Sequence, residues 1–276
     1  MYGLDASEAG SFTIFPCRNF DESSQQHLVS TQIKDSGVSR KLVLWTISWD
    51  RRGQPSLDNR AVTVLSYRWP PEGEQPDASA IDSGDVRLGD AVCRSGLVHA
   101  CFTSAQSGRA AVQWVQIDTA SGKVRQQGVL GDEALSLAYP SLQPNQEDPQ
   151  AVLHGGRARL AAVHCSGRTA GRIRTAASAP SDWPPPARAS RQEKDQRWGD
   201  YTGMAADPAN PEAAWAAPLN RSGTLLGNPR HPRLMHARCS GTGRSTATLE
   251  PRQNACPVGI TSIVMPMLEL PTNPME

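Results

Sequence analysis

Arg87, Arg197, Asp200, Tyr201 and Glu212 are the residues of this chain whose types suit chemistry at the anomeric carbon of an acidic sugar. Arginines clamp a carboxylate through parallel hydrogen bonds, an aspartate exchanges a proton, and a tyrosine made more reactive by a neighbouring glutamate acts as nucleophile. Asp85 stands two residues before Arg87, and Asp200-Tyr201 follow Arg197 closely, so two short segments hold most of these parts. The same residues also suit plain structural work. Asp85, Asp200 and Asp207 fit turns in which a carboxylate accepts backbone N–H bonds, and Arg197, Trp198 and Tyr201 fit packing between sheets.

Other chemistries find less support. The six cysteines (Cys17, Cys93, Cys101, Cys165, Cys239, Cys256) form no CxxC pair, which argues against zinc knuckles and dithiol redox motifs. Cys93 and Cys101 flank the turn Arg94-Ser95-Gly96, so a cross-hairpin disulfide and two free thiols are both open. His231, His236 and Cys239 lack a fourth ligand, and no metal site is expected. There is no GxSxG elbow and no GxxxxGK loop; Gly241-Thr242-Gly243-Arg244-Ser245 lacks the lysine. No cofactor is expected. His27, His99, His154 and His164 have no partner spacing that gives them a role.

The elements that must position such residues read as β. Two β-rich runs, 41–49 and 61–67, bracket the polar connection 50–55. Residues 69–85 contain Pro70, Pro71 and Pro76 and read as a long surface loop. Runs 90–93 and 97–103 surround Arg94-Ser95-Gly96, read as a three-residue hairpin connection with Gly96 in the left-handed position. Runs 111–118 and 123–130 flank a further turn, and the apolar residues of 111–118 fall on both faces, which predicts a strand buried on both sides. No stretch between 41 and 130 carries an uninterrupted helical pattern.

Among 276 residues, 38% are hydrophobic and 5% aromatic, with 22 prolines and 23 glycines, so part of the chain is expected to stay outside a packed core. Lys and Arg total 28 against 27 Asp and Glu, which excludes the basic field that attracts nucleic acid. The longest apolar stretch, 42–49, is far below the roughly 18 residues of a spanning helix. Residues 1–11 hold Asp5 and Glu8 and no apolar run, so they do not read as a secretory signal.

Three stretches resemble secreted bacterial β-propeller proteins of the sialidase-like, BNR-repeat kind. The first runs from Trp69-Pro70-Pro71 through Ile81-Asp82-Ser83-Gly84-Asp85-Val86-Arg87-Leu88 into the hairpin ending at Phe102. The second runs from Ala110-Ala111-Val112-Gln113-Trp114 to Tyr139-Pro140-Ser141. The third is Arg197-Trp198-Gly199-Asp200-Tyr201-Thr202-Gly203-Met204, continued to Trp215. With a weaker match over 42–57 they cover about half the chain, in the family's order. The resemblance implies an all-β, six-bladed propeller, incomplete here, with four-stranded blades and loops open to a central channel. It implies a location outside the cytoplasm, which the sequence itself does not support with an export signal. It does not imply catalysis, because many such propellers have no assigned activity. The Asp box of true sialidases is approached only by Ser48-Trp49-Asp50-Arg51-Arg52-Gly53, where the glycine comes one residue late.

Residues 142–196 and those after 220 depart from the pattern. The first stretch has one isoleucine, no tyrosine and no phenylalanine; a shifted reading frame and a natural low-complexity insertion both account for it. The expected organisation is a partial propeller over 1–220, with 142–196 anomalous, and an irregular or disordered tail over 221–276. Unpaired sheet edges then predict marginal stability or aggregation. A non-catalytic propeller binding a glycan or a cell-surface protein is the first functional expectation, and a glycoside hydrolase of exo-sialidase type the second.

Overall fold

The computed structural model of the protein describes residues 11–33, 37–74, 80–133, 136–144, 152–157, 161–169, 172–178, 202–217, 235–238 and 250–251; side chains are described for 11–144 within those ranges and for 202–209. Every regular element in them is a β-strand, and no helix is long and apolar enough to cross a membrane.

The strands fall into four open sheets that follow one another along the chain. The first comprises β1 (Ser11–Pro16), β3 (Gln25–Gln32), β4 (Val38–Trp49) and β5 (Pro55–Arg68). The second comprises β6 (Leu88–Arg94), β7 (Leu97–Gln106), β8 (Arg109–Asp118) and β9 (Val124–Leu130), with the two-residue β2 (Arg18–Asn19) added parallel to β6. The third comprises β10 (Ala138–Pro144), β11 (Val152–Arg157), β12 (Ala161–Thr169) and β13 (Arg172–Ser178). The fourth comprises β14 (Gly203–Asp207), β15 (Asn210–Ala217), β16 (Met235–Arg238) and β17 (Glu250–Pro251). Apart from β2, all pairings are antiparallel between strands in chain order. Strands β11 to β13 run through the stretch that the sequence marks as anomalous.

Turn chemistry fixes the hairpins of the second sheet. Arg94 pairs with Leu97, and Ser95 and Gly96 have φ of 53° and 70°, so the connection is a two-residue turn with both central residues left-handed, rather than the three-residue one the sequence predicts. Ser107 and Gly108, with φ of 50° and 77°, repeat this turn between β7 and β8, where Gln106 pairs with Arg109. Cys93 pairs with Val98 and Cys101 with Asp90, and the two cysteines belong to different core clusters. Both are free thiols, as is Cys17. Burial pushes the Cys93 thiol up to about 12 and raises the Cys17 and Cys101 thiols well above their ordinary value, so none is a thiolate near neutral pH.

The core lies on both sides of the second sheet. One face packs Cys93, Val98, Ala100, Phe102, Val115 and Ile117 against Val29, Leu42, Leu44, Val62 and Tyr67 of the first sheet, with Tyr67 and Phe102 edge to face at 5.0 Å. The other packs Val92, Cys101, Val112 and Trp114 against Leu142 of the third. Strand β8 is accordingly buried from Ala110 to Ile117 without alternation, as its sequence predicts. The backbones of the second and third sheets approach so closely at Gly89 that a Cβ there would overlap the carbonyl oxygen of Pro140.

Candidate functional site

The connection from β5 to β6 carries the best-defined polar group of the sequence reading. It leaves β5 through Trp69-Pro70-Pro71 and is closed on itself by the reciprocal hydrogen bonds of Gly73 and Ile81, at 2.7 and 2.8 Å. Two successive turns then set its direction. Asp82 Oδ1 accepts the Gly84 N–H at 2.8 Å, and Asp85 Oδ1 accepts the Arg87 N–H at 2.9 Å. Val86 between them is fully buried and anchors the turn in the core.

Across this turn Arg87 donates from Nε to both oxygens of Asp85, at 2.8 and 2.9 Å, and from Nη2 to Oδ2 at 2.6 Å. The Arg87 side chain is 61% exposed. Its guanidinium carbon lies 5.9 Å from the ring centre of Phe12, at the outer reach of a cation–π contact. The Phe12 ring meets Trp69 edge to face at 5.7 Å, and Trp69 is 42% exposed. An exposed indole, a second aromatic ring and a charge pair therefore share one surface.

The neighbouring sheets are tied to this connection through Tyr139. Its Oη donates to the Asp82 carbonyl at 3.0 Å, its N–H donates to Thr103 Oγ1 at 3.1 Å, and its own carbonyl accepts the Thr202 hydroxyl at 2.6 Å. The Tyr139 ring occupies the space a side chain on Gly84 would need, the nearest ring atom being 3.0 Å from a Cβ built there. Tyr139 has φ of 52° inside a register shift between Ala138 and Ser141, an unusual backbone state for an aromatic residue that the surrounding hydrogen bonds hold in place. Arg109 adds a tie from β8, donating to Glu74 Oε2 at 3.1 Å and to the Glu133 carbonyl at 2.9 Å.

Elsewhere Arg18 of β2 joins strands β6, β10 and β14 of three sheets. It donates to Asp90 Oδ2 at 2.8 Å, the Leu142 carbonyl at 3.0 Å and the Met204 carbonyl at 3.0 Å. Asp90 also accepts N–H bonds from Ala91 and Leu142. Burial raises the Asp90 carboxyl above the usual range, and Arg18 and the N–H donors offset only part of that. Arg18 spends its Nη hydrogens on the protein itself and serves as a pin rather than a clamp for an outside carboxylate.

Of the residues singled out in the sequence, the structure places Arg87 and Asp85 together. Arg197, Asp200 and Tyr201 lie outside the described residues, while Thr202, the next residue after Tyr201, is bonded to Tyr139. Glu212 lies in strand β15, and its side chain is not among those described. Asp207 accepts the Ala209 N–H at 2.8 Å in the turn before β15, and Asp50 accepts the N–H groups of Arg52 and Gln54, both at 2.8 Å, in the β4–β5 turn. Both are turn-forming carboxylates. His231 and Cys239 lie outside the described residues, and His236 is described in backbone only. Sequence reasoning missed Arg18, whose partners are 72 to 186 residues away, and gave Tyr139 no role; the one available signal was its place in Tyr139-Pro140-Ser141.

Comparison with protein-family models and with curated proteins finds no match for this chain.

Proposed function

We propose that this chain is a partial β-propeller of the sialidase-like kind whose β5–β6 connection binds a glycan of the cell surface without cleaving it. Support for the propeller comes from four consecutive, mainly antiparallel sheets, with Arg18 bonding strands β6, β10 and β14 of three of them.

The observation that carries the binding reading is the shared surface of Phe12, Trp69, Asp85 and Arg87. A sugar presents an apolar C–H face to an indole and hydroxyls to a fixed charge pair, so an exposed tryptophan beside a bidentate ion pair suits it. The same pair weighs against hydrolysis of an acidic sugar. Arg87 already holds the carboxylate of Asp85 and would have to release it to clamp a substrate carboxylate.

The test is a titration of the full chain with neutral and acidic oligosaccharides, followed by tryptophan fluorescence, alongside an assay with a fluorogenic sialoside. Saturable quenching that Trp69→Ala removes, without release of the fluorophore, is the expected result. Release of the fluorophore that Tyr201→Phe abolishes would establish the exo-sialidase instead.

A further inference from the structure

Strand β5 is the last strand of the first sheet, and its two halves differ. Near its C-terminal end the edge is capped by the second sheet: Gln127 Oε1 accepts the Leu65 N–H at 2.7 Å, Gln113 Nε2 donates to the Leu65 carbonyl at 3.0 Å, and Ser104 Oγ accepts the Arg68 N–H at 3.2 Å. Residues 55–61 are all exposed. Among the described residues, no group outside the β4–β5 hairpin hydrogen-bonds their backbone. An exposed, unpaired edge of this kind is a template for another strand.

The sequence along this edge selects its own copy as that strand. Asp58 and Arg60 flank Asn59 symmetrically. If two β5 edges pair antiparallel about a twofold axis through Asn59, each Asp58 faces Arg60 of the second copy, and each Leu57 faces Ala61. Moving the axis to residue 58 or 60 sets Asp58 against Asp58 or Arg60 against Arg60. Moving it by half a residue sets Leu57 against Arg60 or Asn59 against Arg60 and leaves no opposite charges opposed. Opposite charges directly across an antiparallel pair stabilise it and like charges destabilise it. Arg60 donates through Nη1 to the Ala120 carbonyl at 3.2 Å, which fixes the side chain beside the edge while Nη2 makes no hydrogen bond among the described residues.

We infer that the chain forms a twofold-symmetric dimer by antiparallel pairing of β5 edges centred on Asn59, with reciprocal Asp58–Arg60 ion pairs setting the register. The pairing is isologous and closes after two copies, so it occupies the edge without propagating. Because both ion pairs are exposed, the dimer weakens as salt rises.

Sedimentation equilibrium of the full chain over a concentration series tests this. The wild type dimerises; Asp58→Arg weakens the dimer by about tenfold or more, since both cross-strand pairs become repulsive; and the swap Asp58→Arg/Arg60→Asp restores it to within about threefold of wild type, because each pair is again of opposite sign. Far-UV circular dichroism identical across the three proteins ties the change to association rather than to folding. A chain that stays monomeric up to its solubility limit, or a dimer that Asp58→Arg leaves equally tight, overturns the inference.

Discussion

The β4–β5 and β7–β8 hairpins are built by the same backbone pairing and end in opposite surroundings. Strand β8 is buried along almost its whole length between two sheets, whereas β5 exposes its first seven residues and buries only Val62, Val64 and Tyr67 thereafter. Backbone hydrogen bonding makes a strand in both places. What differs is the number of faces another sheet covers, and that sets how much each side chain contributes.

The difference is broken most severely at Gly89. Its Cβ would overlap backbone, not a flexible side chain, so Gly89→Ala is expected to cost about 3 kcal/mol or more and to prevent cooperative unfolding in urea titrations. Gly53, in the exposed β4–β5 turn, has φ of 74° and no neighbour within 4 Å of a Cβ; Gly53→Ala costs only its backbone strain, about 1 kcal/mol.

Truncating Leu142, which is fully buried against the second sheet, is expected to cost about 3 kcal/mol by denaturant titration. Leu57→Ala on the exposed half of β5 is expected to stay within about 0.5 kcal/mol.

Histidines sharpen the same contrast. His99 is buried, pairs with Gln116 and Val92 in register, and neither ring nitrogen has a hydrogen-bond partner among the described residues. Burial draws its pKa down to about 4, with Asp21 opposing and Arg94 assisting. The folded-state value is therefore below the unfolded one, so the stability His99 contributes is full above about pH 6.5 and is lost as pH falls toward 4. Between pH 7 and pH 5 the loss is roughly 2 kcal/mol, and His99→Leu is expected to remove that slope from urea midpoints measured across the range. His27, whose Nδ1 lies 3.1 Å from Thr46 Oγ1, is also lowered by burial, with Asp21 opposing, so its contribution has the same sign.

A smaller effect than at His99 is expected at Tyr67, whose hydroxyl accepts the Gln32 N–H at 2.8 Å and donates to the Lys41 carbonyl at 2.6 Å. Tyr67→Phe is expected to cost about 1 kcal/mol in the same titration, leaving the Phe102 contact in place.

The all-β class, the paired runs 41–49 and 61–67, and the two-sided burial of β8 were legible because apolar patterning reports them directly. Strands β1 to β3 were not: Thr13 has φ of 52° within a register shift between Phe12 and Phe15, and no residue type announces a bulge at threonine. The hairpin at Ser95-Gly96 was legible with Gly96 left-handed, but its length was misread and the Ser107-Gly108 turn went unread, since serine is not the usual signal for a left-handed first position. At the site, Asp85 and Arg87 were visible as types. Their mutual pairing depends on a turn geometry two residues long, and the Arg18 and Tyr139 ties depend on contacts between distant strands that local pattern does not encode.

Two exposed tryptophans permit the most direct test of the proposed site. Trp49 at the β4–β5 tip is 48% exposed, similar to Trp69, but only Trp69 adjoins the Phe12 ring that the Asp85-bound Arg87 guanidinium overlies. Saturation-transfer NMR on a mixture of saccharides with the full chain should show transfer to ring protons of a bound sugar, abolished by Trp69→Ala and unchanged by Trp49→Ala. Transfer that survives Trp69→Ala, or that Trp49→Ala abolishes, would contradict a glycan site on the β5–β6 connection.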